Sequence, residues 1–245
     1  CSTLALYNFS ILLSKPEKPE FSAFRRVKWI FSHYRLMITL TMIAVFCILP
    51  LFFFLNTSSK VLLVCLALIS VAYSLPIFSI NDKQFGLRNI PGVKLFLIAA
   101  VWSLSCVLIP ILELESSIEA SVTMNDSILL IAKRFLFIAA ITVPFDIRDL
   151  FQDKTNELKT IPVILGEKNA LLICQGLLVI YLILLLLFTT SVDGNFLGLM
   201  LTIILSGWLI FKSKWQRSEY YYFLYLDGTM IVQFLMLLLC SYLPL

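Results

Sequence analysis

The sequence predicts an all-α fold, a multi-pass membrane helical bundle. Of its 245 residues, 60% are hydrophobic and only 14% are charged, and the mean hydropathy is +0.95. Soluble domains are typically about 45–50% apolar and about 25% charged, so this composition excludes an ordinary soluble domain. Helices are the expected spanning elements, because each helix satisfies its own backbone hydrogen bonds in lipid.

Seven apolar stretches have the length, or nearly the length, of a membrane-crossing helix, which is about 20 residues. Residues 1–13 look like the end of one further span. Because the chain opens in the middle of an apolar run, we expect a single domain over 1–245 whose first span and the start of whose second span are missing. The seven stretches are 36–55, 61–80, 93–112, 128–147, 170–190, 195–211 and 225–243.

The basic residues predict which side of the membrane each loop faces. Loops 14–35, 81–94, 148–169 and 212–219 hold most of the 19 lysines and arginines. By the positive-inside rule these loops are cytoplasmic, and the C-terminus lies on the opposite side. Because the basic residues sit in short loops between spans, the net charge of +4 does not indicate a nucleic acid partner.

Three other features are expected to be structural. The six cysteines are scattered singly through apolar runs, which is not the pattern of a disulfide framework or a zinc site. Gly194 and Gly198 form a small-x-x-x-small pattern that is typical of a close helix contact. Lys133 and Arg134 lie inside an apolar stretch, and their long side chains are expected to extend to the outer interface.

An acidic stripe follows the apolar run that ends at Pro144. If the helix continues past that point, Asp146, Asp149 and Asp153 stand at i, i+3 and i+7, on one face. Like charges in a stripe repel, and a hard divalent cation is a natural partner. Magnesium commonly takes one or two carboxylates together with substrate phosphates. The other interpretation is a solvated helix end whose acids pair with nearby Arg and Lys, and the spacing alone leaves both open.

The continuation of this segment resembles the second aspartate-rich motif of the UbiA-type membrane prenyltransferases. That motif reads roughly Asp-x-x-Asp-x-x-x-Asp-x-x-x-Gly-x-Lys-Thr-x-x-x-x-x-Gly, and Glu157 replaces its first Gly here. Residues 73–76, Tyr-Ser-Leu-Pro, also resemble a common family sequence, as does the pair at 227–228. The residues in register with the motif are Asp146, Asp149, Asp153, Lys159, Thr160 and Gly166, with Arg148 inside the first pair.

One part of the family pattern is absent. The first aspartate-rich motif, roughly Asn-Asp-x-x-Asp-x-x-x-Asp, should follow the second span. At that place only Asn8 is in register, and the next acid in the sequence is Glu17. Asn8 is therefore the only candidate remnant of the first motif.

The resemblance implies a nine-helix fold and an enzyme. The implied reaction moves an isoprenyl group from an isoprenyl diphosphate to an aromatic, quinone-like or lipid acceptor, with Mg²⁺ as cofactor. The implied catalytic and metal-binding residues are Asp146, Asp149 and Asp153, and the implied diphosphate-binding residues are Arg148, Lys159, Arg88 and Lys83.

Two alternatives stay open at this point. A degenerate relative would keep the fold and bind an isoprenoid or a partner without catalysis, and the missing first motif is its main support. A transporter is the third possibility. Transporters usually place charges near the membrane midplane and use broken helices or paired repeats, whereas the acids here stand at a helix end.

Overall fold

The structure is a computed structural model, and the architecture it describes is helical. It describes residues 2–13, 25–75, 78–80, 83–85, 90, 92–117, 122–155, 158–189, 192–214 and 216–241. The helices are α1 (Ser2–Leu13), α2 (Arg25–Ser32), α3 (Tyr34–Phe54), α4 (Thr57–Ser74), α5 (Val93–Ser103), α6 (Ile109–Ser117), α7 (Met124–Arg148), α8 (Leu150–Thr155), α9 (Ile161–Phe188), α10 (Gly194–Lys212) and α11 (Gly228–Ser241). A first π segment, Leu104–Leu108, joins α5 to α6, and a second π segment, Tyr221–Leu226, precedes α11.

Six helices of the described part are long and apolar enough to cross a membrane, which confirms the predicted multi-pass architecture. Many large apolar side chains on them point outward, for example Phe54 and Leu187, as expected for surfaces that lipid covers. The six spans are Tyr34–Phe54, Val93–Ser116, Met124–Arg148, Ile161–Phe188, Gly194–Lys212 and Tyr221–Cys240.

The predicted span at 61–80 is wrong at its C-terminal end. Helix α4 ends at Ser74, and Leu75 is already extended, with φ −89° and ψ 139°. The cause lies in the sequence, because Pro76 disfavours helix at the residue before it and cannot donate a helical hydrogen bond. Two short strands follow, β1 (Phe78–Ile80) and β2 (Lys83–Phe85), which pair antiparallel. They are the exception to the all-α prediction among the described residues.

The chain divides into two compact units, Cys1–Pro76 and Ile77–Leu245. In the first unit, α1 packs mainly against α3. In the second unit, α7 packs against α5 and α9, and α10 packs against α9 and α11. The prediction that all 245 residues form a single domain stays a prediction.

Helix α7 forms the centre of the second unit. Phe137, Ala140, Val143 and Ile147 are fully buried along it, and the surrounding core includes Tyr222 of the second π segment. A polar side chain on this buried part of the helix is expected to find a partner inside the protein.

The predicted contact at Gly194 and Gly198 is confirmed. A Cβ atom on Gly194 would lie 2.0 Å from the carbonyl oxygen of Cys240, and one on Gly198 would lie 3.1 Å from that of Met236. Both carbonyls belong to α11, so the small residues allow α10 and α11 to approach each other closely.

Helix α9 is broken near its beginning. Gly166 has φ 82° and ψ 161° inside the helix, a conformation that is essentially restricted to glycine. The break separates residues 161–165 from the long apolar remainder, which contains the predicted stretch 170–190. It also sets the direction of the residues just before it, including Thr160 at the N-cap.

Arg134 does not extend to an interface, so that expectation is wrong. Its Nη1 donates to Oε1 of Gln233 at 2.5 Å, and Gln233 is buried in α11 with 6% of its surface exposed. Tyr181 on α9 is also buried, with 3% of its surface exposed, and its hydroxyl group lies near the same Gln233 side chain. Arg134, Tyr181 and Gln233 are called the interior cluster below. It joins α7, α9 and α11.

Candidate functional site

The three acids of the predicted motif lie at the end of α7 and in the short helix that follows. Asp146 is in the last turn of α7, Asp149 is in the turn after it, and Asp153 is in α8. Asp146 and Asp153 are buried, each with 3% of its surface exposed. The three acids therefore lie near the end of a span, as predicted, but they are divided between two helices and the turn that joins them.

The helix breaks at Asp149, which has φ −89° and ψ 7°. Its backbone N–H still donates to the carbonyl of Phe145 at 3.0 Å, and its carbonyl accepts from the N–H of Asp153 at 2.8 Å. The chain therefore bends without losing these two hydrogen bonds. Aspartate disfavours a helix interior because its side chain competes for local hydrogen bonds, and here Arg148 holds that side chain outside the helical ladder.

Arg148 and Asp149 form an ion pair with two hydrogen bonds. Nε and Nη2 of Arg148 donate to Oδ1 and Oδ2 of Asp149 at 2.7 and 2.8 Å. The guanidinium carbon also lies 5.3, 5.8 and 5.0 Å from the ring centroids of Phe145, Tyr222 and Phe223. Such ring contacts attract a cation, so the guanidinium is fixed in position. Two of these rings belong to the second π segment, and π segments are frequent at functional sites.

Asp146 is paired with a lysine from the predicted cytoplasmic loop 81–94, a residue that the matched motif does not include. Nζ of Lys94 donates to Oδ1 of Asp146. Lys94 is the second residue of α5, which begins after Gly92 in a left-handed conformation with φ 75°. The partners are 52 residues apart in the chain, so no local motif connects them. Lys94, Asp146, Arg148 and Asp149 are called the edge cluster below.

A small pocket, called the edge pocket below, opens beside the edge cluster. Its polar lining residues are Lys94, Asp146, Lys159 and Thr160, and its apolar lining includes Leu95. The Oγ1 atom of Thr160 is buried and has no hydrogen-bond partner among the described residues. Its neighbour Lys159 is exposed. The pocket therefore combines cationic groups with a hydroxyl group that no described residue engages.

The remaining predicted site residues are Arg88, Lys83 and Asn8. Arg88 lies outside the described residues, and for Lys83 only the backbone of strand β2 is described. Asn8 lies in α1, in the first unit. It is buried, with 2% of its surface exposed, and its Nδ2 has no hydrogen-bond partner in the described part of the chain.

The acids do not form a complete metal cage. Across the described ranges, no three His, Cys, Asp or Glu side chains converge in the way that a protein-only metal site requires. Asp149 and Asp153 nevertheless lie close enough to Asp146 to repel its carboxylate. This donor set fits Mg²⁺ that arrives with a phosphate ligand, since that ion commonly takes one or two carboxylates plus phosphate oxygens and waters.

The fold and this site define a multi-pass helical membrane protein with buried, paired charges at one end of a central span. The sequence model of the UbiA prenyltransferase family matches residues 31–222, which is more than half of the chain. The protein therefore belongs to the UbiA prenyltransferase family. The match begins downstream of Asn8.

Two solved structures are similar to this chain, both of a UbiA homologue from Archaeoglobus fulgidus. The homologue bound to GPP and Mg²⁺ has a TM-score of 0.58 and 16% sequence identity, over 97% of this chain and 85% of that chain. The homologue bound to DMAPP and Mg²⁺ has a TM-score of 0.53 and 17% identity, over 99% and 82%. At these identities the likeness confirms the fold. No curated protein sequence matches the chain significantly.

Proposed function

We propose that this chain is an intramembrane prenyltransferase that moves an isoprenyl group from an isoprenyl diphosphate to a hydrophobic acceptor, which is aromatic, quinone-like or a lipid. One observation carries the proposal. Carboxylates and cations of the matched motif meet beside a polar pocket at the end of a span, and Asp146 and Lys159 both line that pocket. Family membership and the isoprenyl diphosphates bound by the two homologues support it.

The reaction sets the requirements for the site. The bond between C1 of the isoprenyl group and a diphosphate oxygen breaks, and the diphosphate leaves with the electron pair. The acceptor then bonds to C1 and gives up a proton. Positive groups that already point at the leaving oxygens lower the barrier, because they need not reorganise as the negative charge develops.

The residues of this chain divide into two roles in the proposal. The acids hold a cation, and Mg²⁺ when bound would supply charge stabilisation to the leaving diphosphate. The basic side chains contact the diphosphate itself, and the hydroxyl of Thr160 donates to it. The proposed metal-binding residues are Asp146, Asp149 and Asp153, and the proposed diphosphate-binding residues are Arg148, Lys159, Arg88 and Lys83.

The sidedness follows the charge distribution and is part of the proposal. Loops 14–35, 81–94, 148–169 and 212–219 are placed in the cytoplasm and the C-terminus on the opposite side. The edge pocket would then open on the cytoplasmic side, where a water-soluble diphosphate group enters most easily.

A second candidate function has its own support. In a degenerate relative, the acids would serve as structural ion pairs. Asp149 already has two hydrogen bonds from Arg148, Asp146 has one from Lys94, and only Asn8 is in register with the first motif. Such a protein would bind an isoprenoid or a partner without using a metal ion.

Binding of GPP to the purified full chain in detergent, with and without Mg²⁺, distinguishes the two candidates. We expect Mg²⁺ to strengthen binding and Asp149→Asn to weaken it at least about tenfold, since a lost charged contact costs about 1.5–3 kcal/mol. Asp126→Asn is the matched control, because Asp126 lies at the opposite end of α7 and is exposed. Binding that ignores both Mg²⁺ and Asp149 would support the degenerate relative instead.

A further inference from the structure

The segment 25–35, which comprises α2 and the start of α3, carries positive charge that no nearby acid balances. The sequence contains no acid between Glu20 and Asp82. Among the described residues, neither Lys28 nor Arg35 forms an ion pair with a carboxylate. An anion that balances this charge is therefore expected to come from outside the segment. The bases of the segment are Arg25, Arg26, Lys28 and Arg35.

The helical register of α2 continues into α3. At the turn between them, the N–H of His33 donates to the carbonyl of Trp29 at 3.0 Å, and the carbonyl of His33 accepts from the N–H of Met37 at 3.1 Å. Buried residues recur every seven positions, close to two helical turns, and so mark one inner face across both helices. They are Ile30, Met37 and Ala44, with 4%, 8% and 3% of their surfaces exposed.

The opposite face of the same two helices changes from basic to apolar along its length. Lys28 and Arg35 are exposed, and each stands two positions before a residue of the inner face, about 200° around the helix. Continuing by seven positions, this face presents Met42 and Leu49, which are 60% and 55% exposed. Because both belong to the span Tyr34–Phe54, we expect lipid to cover them. Arg35 lies about 10 Å beyond Met42 along the axis, so the bases follow directly on the lipid-covered part.

An exposed tryptophan lies beside the bases. Trp29 is 51% exposed, and its ring stacks on that of His33 with the centroids 4.7 Å apart. Tyr34, at the start of the span, is 44% exposed. Trp and Tyr are enriched where the hydrocarbon of a membrane meets the headgroups. The aromatic side chains therefore indicate the same depth as the bases do, which is the level of the headgroups.

We propose that the outward side of α2 and of the start of α3 is a docking surface for the headgroups of anionic phospholipids. This surface, called the basic face below, consists of Lys28, Trp29 and Arg35. The two bases donate to phosphate oxygens, and the net negative charge of the lipid balances the segment. A soluble acidic partner fits less well, because the basic face continues into a surface that lipid covers. The inference concerns the first compact unit and does not depend on the proposed prenyl transfer.

The first test measures which lipid surrounds Trp29 in the full chain. The chain is reconstituted in phosphatidylcholine vesicles with a minor fraction of phosphatidylglycerol, and one lipid or the other carries bromine atoms, which quench tryptophan fluorescence. The difference between the unmodified chain and Trp29→Phe gives the share of Trp29. Per mole of brominated lipid, we expect phosphatidylglycerol to quench at least about fivefold more strongly, the value of one base near an anionic surface. Equal quenching by the two lipids would overturn the inference.

The double variant Lys28→Gln/Arg35→Gln tests whether the bases cause this preference. Both side chains are exposed, so the fold should be kept, and quenching by the two brominated lipids should become nearly equal. The matched control, Lys168→Gln/Lys212→Gln, removes two exposed bases of α9 and α10 and should keep the preference. An equal loss in both double variants would show an effect of net charge alone and would contradict a docking surface. Should the first double variant fail to fold, the result on the unmodified chain decides.

Two further outcomes separate the lipid from other occupants. Inorganic phosphate should reduce the preference no more than sodium chloride of the same ionic strength does, since screening is then its only effect. A stronger effect of phosphate would show a site for a free anion. A Trp29 ring that neither lipid quenches would show that a second copy or another part of the chain covers the basic face. Either result would refute the docking of lipid at this surface.

Discussion

Helix α7 carries two buried polar clusters that differ in their charge pairing and in their place along the helix. The interior cluster is centred on Arg134 and the edge cluster on Asp146, 12 residues further along. At 1.5 Å per helical residue the two lie about 18 Å apart along the axis. The same helix therefore presents one polar group near the middle of a span and another near its end.

The interior cluster has no charge balance. Arg134 is bonded to the neutral Gln233, it forms no ion pair with a carboxylate in the described part of the chain, and its buried Nε has no hydrogen-bond partner there. The edge cluster pairs each cation with an acid and opens to a pocket. Burial of a charge alone is thus shared by both clusters. The proposed site is the cluster whose charges are paired and lie beside a pocket.

We expect the interior cluster to stabilise the fold, and the largest effect is expected for Gln233→Leu. The change leaves the arginine without its partner inside the bundle, so we expect a loss of about 1–3 kcal/mol in the free energy of unfolding. Thermal unfolding in detergent measures the loss. GPP binding at the edge pocket should be unchanged.

The double variant Arg134→Met/Gln233→Leu is the control for that prediction. Removing both polar groups leaves an apolar contact of similar size, and most of the stability should return. A Gln233→Leu protein of normal stability that no longer binds GPP would place the interior cluster in the functional site.

A substitution at the break in α9 should affect both the stability of the fold and binding at the edge pocket. Gly166 lies at the break, a few residues after Thr160 of the pocket lining. Gly166→Ala forces a side chain into a glycine-only conformation, for a cost of about 1–3 kcal/mol, and we expect GPP binding to weaken as well. Gly176→Ala is the matched control. Gly176 is helical with open space beside it, so alanine there should stabilise by up to about 1 kcal/mol. Equal effects of the two changes on unfolding would contradict the assigned strain.

The smallest expected effect is that of Thr160→Val, and its sign is informative. The hydroxyl has no protein partner within the described ranges, so its removal should leave stability unchanged or slightly higher. GPP binding should fall about fivefold, the value of one hydrogen bond of about 1 kcal/mol. Thr202→Val serves as the comparison, because that hydroxyl donates to the carbonyl of Gly198 at 2.8 Å. A loss of stability without a loss of binding in Thr160→Val would show a structural hydroxyl.

Much of the fold follows from the sequence, because apolar run length determines which segments cross the membrane. The predicted span continues past the end of α4, because the apolar stretch continues beyond Pro76, although that proline indicates a helix end. The start of α9 at Ile161 was also missed, although Thr160 followed by Pro162 is a usual N-terminal signal of a helix. In both places the end of the helix is determined by a local backbone preference, which average hydropathy does not detect.

The candidate site was predictable only where its residues are close together in the sequence. One short segment contains Asp146, Asp149 and Asp153, and all three are in register with the family motif. Lys94 of the edge cluster contacts a residue 52 positions away, and Gln233 of the interior cluster contacts one 99 positions away. The sequence around Lys94 or Gln233 does not indicate these partners. Long-range ion pairs of this kind depend on helix packing, which the sequence pattern does not specify.

The most direct test of this division compares GPP binding by two variants, Asp149→Asn and Gln233→Leu, each with and without Mg²⁺. If the edge cluster is the functional site and the interior cluster a stabilising one, Gln233→Leu binds as the unmodified chain does and Asp149→Asn loses its Mg²⁺-dependent binding. Normal binding by Asp149→Asn together with loss of binding by a folded Gln233→Leu would contradict the account.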